Sequence, residues 1–177
     1  MKISPHSEVV STYSFRRRTP GTFLLVPTRH QNRSIHCQGR LEATAVMTMA
    51  VSPAISEITE QPCRVWYEFS RPGSEDIQLS AETSQKANRR WPRTTYTVPD
   101  LLVQRCGGDC VLVEIKPSRK LRKIDTRRKL SAARDYCEER GWRFVVLTEK
   151  QLVREPLNSN VARLVRFLRS EPNENVL

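Results

Sequence analysis

The chain has 177 residues, 38% apolar and 28% charged, enough for one domain with a real core and too apolar for a disordered segment. Thirty Lys and Arg against 19 Asp and Glu give a formal net charge of +11, a balance that calls for a polyanionic partner, nucleic acid first among them. No apolar run is long enough to cross a membrane, and Phe23-Leu24-Leu25-Val26 is too short even for the core of a secretory signal.

The charge is segregated along the chain. Residues 1–40 carry seven Lys and Arg against one acid, and residues 116–143 carry eleven against four. Residues 41–115 reverse the balance, seven against ten. Cations at the flanks and carboxylates in the middle suit phosphate contacts around a metal-binding centre. Cysteines number five. That odd count without dense spacing points to reduced thiols and a cytoplasmic location. His36-Cys37 has no CxxC or second His/Cys pair to complete a zinc site.

Residues 1–32, with Arg16-Arg17-Arg18 and Pro5, Pro20 and Pro27, hold no periodicity and read as a basic, flexible arm; a domain is expected over 33–170 and a tail over 171–177. Leu41, Ala45, Val46 and Met49 share one face of a helix over 38–50, closed by Ser52-Pro53. Strands are predicted over 54–60, stopped by Gln61-Pro62, and over 63–69 with Val65 and Tyr67 on one face. Gln61 is expected to fix the strand end by hydrogen bonds, and Trp66, Trp91 and Trp142 to anchor the core or loops. Residues 70–92 read as a long loop.

A strand over 94–104, interrupted by Pro99, turns at Gly107-Gly108-Asp109 into a return strand over 110–115, apolar enough for burial on both faces. A basic connector follows. Asp125 is placed to cap a helix to about Arg140, with Leu130, Ala133 and Cys137 inward and Gly141 ending it. A buried strand over 142–147 leads to Thr148 and Gln151 in capping-box spacing. A last helix is predicted over 159–169 with Val161, Leu164, Val165 and Leu168 inward. The sum is an α/β domain with a mixed central sheet flanked by helices.

Three residues of the hairpin carry chemistry. Glu114 and Lys116 are two apart on a strand and point to the same side, with Ile115 toward the core. The partner strand can bring Asp100 beside them. Two neighbouring carboxylates repel unless a cation lies between them, and a hard divalent ion such as Mg²⁺ meets that need. An ammonium beside that ion fits phosphodiester hydrolysis, where negative charge builds on phosphorus-bound oxygens. An ExK pair alone is equally a salt bridge on a strand. Pro-Asp, a Gly-Gly turn and ExK on the return strand together favour a nuclease.

Five segments in order strengthen this: RSIHCQGRLE at 33–42, AVSPAISEITEQP at 50–62, YTVPDLLV at 96–103, VEIKPS at 113–118 and AARDYCEERGWRFVVLTE at 132–149. Together they resemble the N-terminal catalytic domain of TnsA, the endonuclease subunit of heteromeric transposases. The resemblance implies a restriction-endonuclease-like PD-(D/E)xK core. It implies Glu42, Asp100, Glu114 and Lys116 as catalytic residues, with Glu42, Asp100 and Glu114 holding Mg²⁺ or Mn²⁺. It further implies double-stranded DNA as substrate and a TnsB-like transposase subunit as partner.

The chain departs from the family pattern in residues 43–49, in the length of 70–92, and in ending too soon for the C-terminal domain that engages an ATPase regulator, which leaves that partner open. Arg33, Arg119, Lys120, Arg122, Lys123, Arg127, Arg128 and Lys129 are expected to contact DNA phosphates. A solvated helix face would account for the same charges. Two other functions stay open at this point: a stand-alone restriction or repair nuclease, and a non-catalytic DNA-binding protein of the same fold.

Overall fold

A computed structural model describes residues 23–31, 33–80 and 90–168. Its centre is a four-stranded sheet of β3 (Ile55–Glu60), β7 (Leu101–Arg105), β8 (Cys110–Ile115) and β9 (Arg143–Leu147), in the order β3-β7-β8-β9. The first two pairings are antiparallel, while β8 and β9 run parallel, so the sheet is mixed, as expected. The β7–β8 hairpin turns on Gly107-Gly108, with Gly108 at a φ of 86° and its N–H donating to the Arg105 carbonyl at 2.8 Å. Glycine meets that backbone at no steric cost.

Alternate residues of β7 and β8 face opposite layers. Leu101, Val103, Val113 and Ile115 join Ile58 and the small residues Ala43, Ala45 and Val46 of α1 (Arg40–Ala50). Val161 and Val165 of α4 (Leu157–Val165) close that layer. On the other face Leu102, Cys110 and Leu112 meet Ala132, Ala133, Tyr136 and Cys137 of α2 (Ile124–Arg140). Both faces of β8 are therefore covered, which accounts for its apolar run.

α2 also carries a second sheet, in which β4 (Val65–Phe69) lies between β5 (Gln78–Leu79) and β6 (Arg93–Thr97). Val65, Tyr67 and Phe69 face α2, as their alternation predicts. Gly141 ends α2 at a φ of 66°, and Thr148 and Gln151 form the expected capping box of α3 (Glu149–Leu152). No described helix is long and apolar enough to cross a membrane.

Several expectations are corrected. Residues 94–104, expected as a strand interrupted by Pro99, break there and divide between two sheets. β6 belongs to the second sheet and β7 to the central one, and the chain crosses between them at Val98-Pro99-Asp100. Pro99 is fully buried there and has no N–H to give to either ladder. The loop over 70–92 contains β5, while residues 81–89 lie outside the described residues.

Residues 24–27, assigned to the arm, form β1 (Leu24–Pro27), paired antiparallel with β2 (Ser34–Cys37) because Val26 is drawn into the core beside α1. Residues 1–22 and 169–177 lie outside the described residues. Asp125 does not cap α2. Lys123 holds the cap position, and Asp125 in the first turn pairs with Arg128. On the inner face of α2, Leu130 is only half-buried and Ala132 and Tyr136 take its place. Leu164 is 55% exposed, because Val161, Val165 and Leu168 already fill the inward stripe of α4.

Candidate active site

The site forms where the two sheets part. The last pair of the β7–β8 ladder is Leu101 with Val113, so the next step brings Asp100 opposite Glu114. Gln61, at the end of β3 with a φ of 45°, donates its N–H to the Asp100 carbonyl at 2.9 Å. This is the strand-end hydrogen bond expected of Gln61. Asp100 is thus pinned from both neighbouring strands, and its Oδ2 accepts the Ile115 N–H at 2.6 Å.

Lys116 completes the group. Its Nζ lies 2.6 Å from Glu114 Oε1 and 3.6 Å from Asp100 Oδ2. Its main chain is fixed as well, the N–H donating to the Leu147 carbonyl of β9 at 3.0 Å. Glu114 is buried, and Lys116 and Asp100 keep partial access to solvent.

Glu42 enters from another element. It stands in the first turn of α1, and one carboxylate oxygen accepts the Gln38 N–H. Burial and then the charge of Asp100 push its pKa up to about 7, with Glu114 adding to the rise and Lys116 opposing it. Burial and Asp100 push Glu114 up to about 7 too. Burial also raises Asp100, against the pull of Lys116 and the Ile115 N–H. Burial disfavours the charged form of Lys116, yet Asp100 and Glu114 outweigh it and hold its pKa above the ordinary lysine value. Three carboxylates therefore share one ammonium and remain short of positive charge.

That donor set fits a hard divalent cation in kind, since the oxygens are carboxylate and a cation would offset both their burial and their mutual repulsion. The spacing differs from the expectation. Among the described residues no three His, Cys, Asp or Glu side chains are gathered at metal-ligand distance, Glu42 included. Like charges repel at such distances, and Glu42 gives an oxygen to Gln38 while Lys116 takes the place between Asp100 and Glu114.

The expected phosphate contacts divide. Arg119, Lys120, Arg122, Lys123 and Lys129 are exposed along the 3-10 turn Ser118–Lys120 and the start of α2, with no ion pair among the described residues. Arg127 is exposed and paired with Glu75 at 2.6 Å.

Arg128 corrects the expectation. It is 4% exposed, donates to the Ser74 and Arg71 carbonyls, and lies 3.9 Å over the Phe69 ring. It holds α2 to the second sheet and is closed to DNA. Its neighbours in sequence gave no sign of this, because its partners are 54 and 57 residues away. Arg33 is also engaged, with Glu60 at 2.8 Å and the Ile58 carbonyl at 3.3 Å. Of the tryptophans, Trp142 packs edge-on to Tyr136 in the core, Trp66 pairs with Tyr96, and Trp91 lies against Phe69 while 47% exposed.

Residues 52–149 match a family model described as TnsA-like endonuclease N terminal. Asp100, Glu114 and Lys116 fall within the matched segment and Glu42 falls before it. No curated protein matches the chain.

Proposed function

The chain belongs to the family of TnsA-like endonucleases, nucleases of transposition with a restriction-endonuclease-like fold, and on that premise we propose that it cleaves DNA at transposon ends as one subunit of a heteromeric transposase. The observation that carries this reading is the Lys116 ammonium held between Glu114 and Asp100 at the mouth of the sheet. A phosphodiester is attacked when water bonds to phosphorus and the bond to the 3′ oxygen breaks, leaving a 3′-hydroxyl and a 5′-phosphate. Charge on the non-bridging and leaving oxygens is what the protein must balance.

Asp100 and Glu114, with Glu42 as the third carboxylate, would hold Mg²⁺ or Mn²⁺, which when bound polarises the phosphate and acidifies a water. Lys116, cationic throughout the neutral range, faces the same oxygens and supplies a fixed positive charge. The Ile115 N–H and the Gln61 N–H hold Asp100 in place. Arg119, Lys120, Arg122, Lys123 and Lys129 begin three residues beyond Lys116 and are placed to grip flanking phosphates. A TnsB-like partner would supply recognition of the ends.

The test is nicking of supercoiled plasmid with Mg²⁺ or Mn²⁺, comparing wild type with Lys116→Ala, with and without a transposase partner. Cleavage that needs the metal, Lys116 and the partner is the expected result. Partner-free cleavage would replace the subunit role with a stand-alone nuclease. No cleavage under any condition would leave a DNA-binding protein of the same fold.

A further inference from the structure

The chain beyond Lys116 is fastened to a residue the proposed chemistry does not use. β8 and β9 pair in parallel as far as Ile115 with Leu147, and the Lys116 N–H adds one more bond to the Leu147 carbonyl. Pro117 then has no N–H to give. Ser118 is the first residue able to donate again, and both its donors go to one carboxylate. Its N–H reaches Glu149 Oε2 at 2.8 Å and its hydroxyl bonds Glu149 Oε1.

Glu149 is not needed as a cap for its own helix. The Thr148 side chain and Gln151 already form the capping box of α3, with the Thr148 hydroxyl accepting the Lys150 N–H and Gln151 Oε1 accepting the Thr148 N–H. The Glu149 carboxylate instead turns across 31 residues of sequence to Ser118. Those two bonds lower its pKa, so it stays ionised and keeps accepting. Lys116 is therefore held at one end by β9 and two residues later by Glu149, and the exposed Arg119 and Lys120 follow directly.

We propose that Glu149, acting through Ser118, is a positioning residue that sets the direction of Lys116 and of the phosphate-gripping turn after it. The inference rests on the nuclease reading for its effect on rate and on the geometry alone for its effect on Lys116. Without the clamp, Pro117-Ser118 can swing, and the ammonium leaves its place between Asp100 and Glu114. A displacement of about 1 Å in such a group lowers rate by up to about a hundredfold.

The experiment uses the full chain with Glu149→Ala, Ser118→Ala and Ser118→Thr. Three quantities are measured: the single-turnover cleavage rate at saturating DNA, the Kd for the same DNA, and the NMR shift of the Lys116 ε-methylene, assigned by its loss in Lys116→Arg. Glu149→Ala is expected to cut about 10- to 100-fold more slowly, with Kd changed less than about threefold. Its Lys116 signal should move to the position of exposed lysines. Ser118→Ala should lose part of the rate and Ser118→Thr, which restores the hydroxyl, should regain it.

An unmoved Lys116 signal with wild-type rate in Glu149→Ala would overturn the proposal. So would a rate loss that only mirrors loss of folded protein. A wild type that cuts no DNA under any condition would remove the nuclease reading, and the Lys116 signal would still decide the positioning.

Discussion

At the scale of single residues, the site is a problem of unbalanced charge. Asp100, Glu114 and Glu42 crowd one ammonium, and burial raises all three carboxyls. Asp100→Ala should cut cleavage by about 100- to 1,000-fold or more, on the scale of removing a central electrostatic group, while the chain stays folded by circular dichroism. Cleavage at the wild-type rate would remove Asp100 from the site.

The raised carboxyls also fix a sign for pH. Glu42 and Glu114 stand at about 7 when folded against 4.5 ordinarily, so between those values the folded chain holds protons that the unfolded chain has lost. Stability contributed by these groups is therefore present at low pH and declines as pH rises through that window. The metal-free protein should lose Tm between about pH 4.5 and 7, and Mg²⁺ or Mn²⁺ added above pH 7 should restore it. The variant Glu42→Gln should flatten the decline. A Tm that climbs through the same window, followed by scanning fluorimetry, would contradict the assignment.

At the scale of elements, α2 shows how one basic stretch serves two purposes. Arg128 is turned inward on Phe69 and two carbonyls, whereas Lys129 beside it is exposed. Arg128→Ala should cost about 1–3 kcal/mol, the penalty for orphaning buried carbonyls, read by urea denaturation. The salt dependence of DNA binding should be unchanged in that variant once folded. Lys129→Ala should do the reverse, leaving stability alone and reducing the slope of log K against log salt by about one. A wild-type slope in both variants would show that neither contacts phosphate.

The same element shows what patterns along a chain can reveal. The extent of α2 and its Gly141 stop were legible because helix period and a left-handed cap are local properties. The cap position at Lys123 and the direction of Arg128 were not, and the latter depends on the Arg71 and Ser74 carbonyls, far away in the chain. Pro99 marked the interruption of residues 94–104, but that the two halves join different sheets was hidden for a related reason. Both halves have strand character, and only the packing of α2 against two sheets separates them.

At the scale of the whole molecule, the central sheet is enclosed by α1 and α4 on one face and by α2 with the second sheet on the other. Leu112 lies fully buried at the middle of that arrangement. Leu112→Ala should destabilise the fold by about 2–5 kcal/mol, the range for emptying a packed core position, measured by urea denaturation, and a loss well under 1 kcal/mol would mean the layers relax around it.

The sequence by itself determined the class of fold, the β7–β8 hairpin and the grouping of Asp100 with Glu114 and Lys116. Those features follow from strand alternation, a Gly-Gly turn and short spacings, all of which act between near neighbours. The resemblance carried by residues 33–42 had already grouped Glu42 with Asp100, Glu114 and Lys116, whereas tertiary structure alone decided that Arg33 and Arg128 are occupied within the protein and that Glu149 reaches Ser118. Each of those depends on a contact between residues far apart in the chain, and such contacts exist only once the layers have packed.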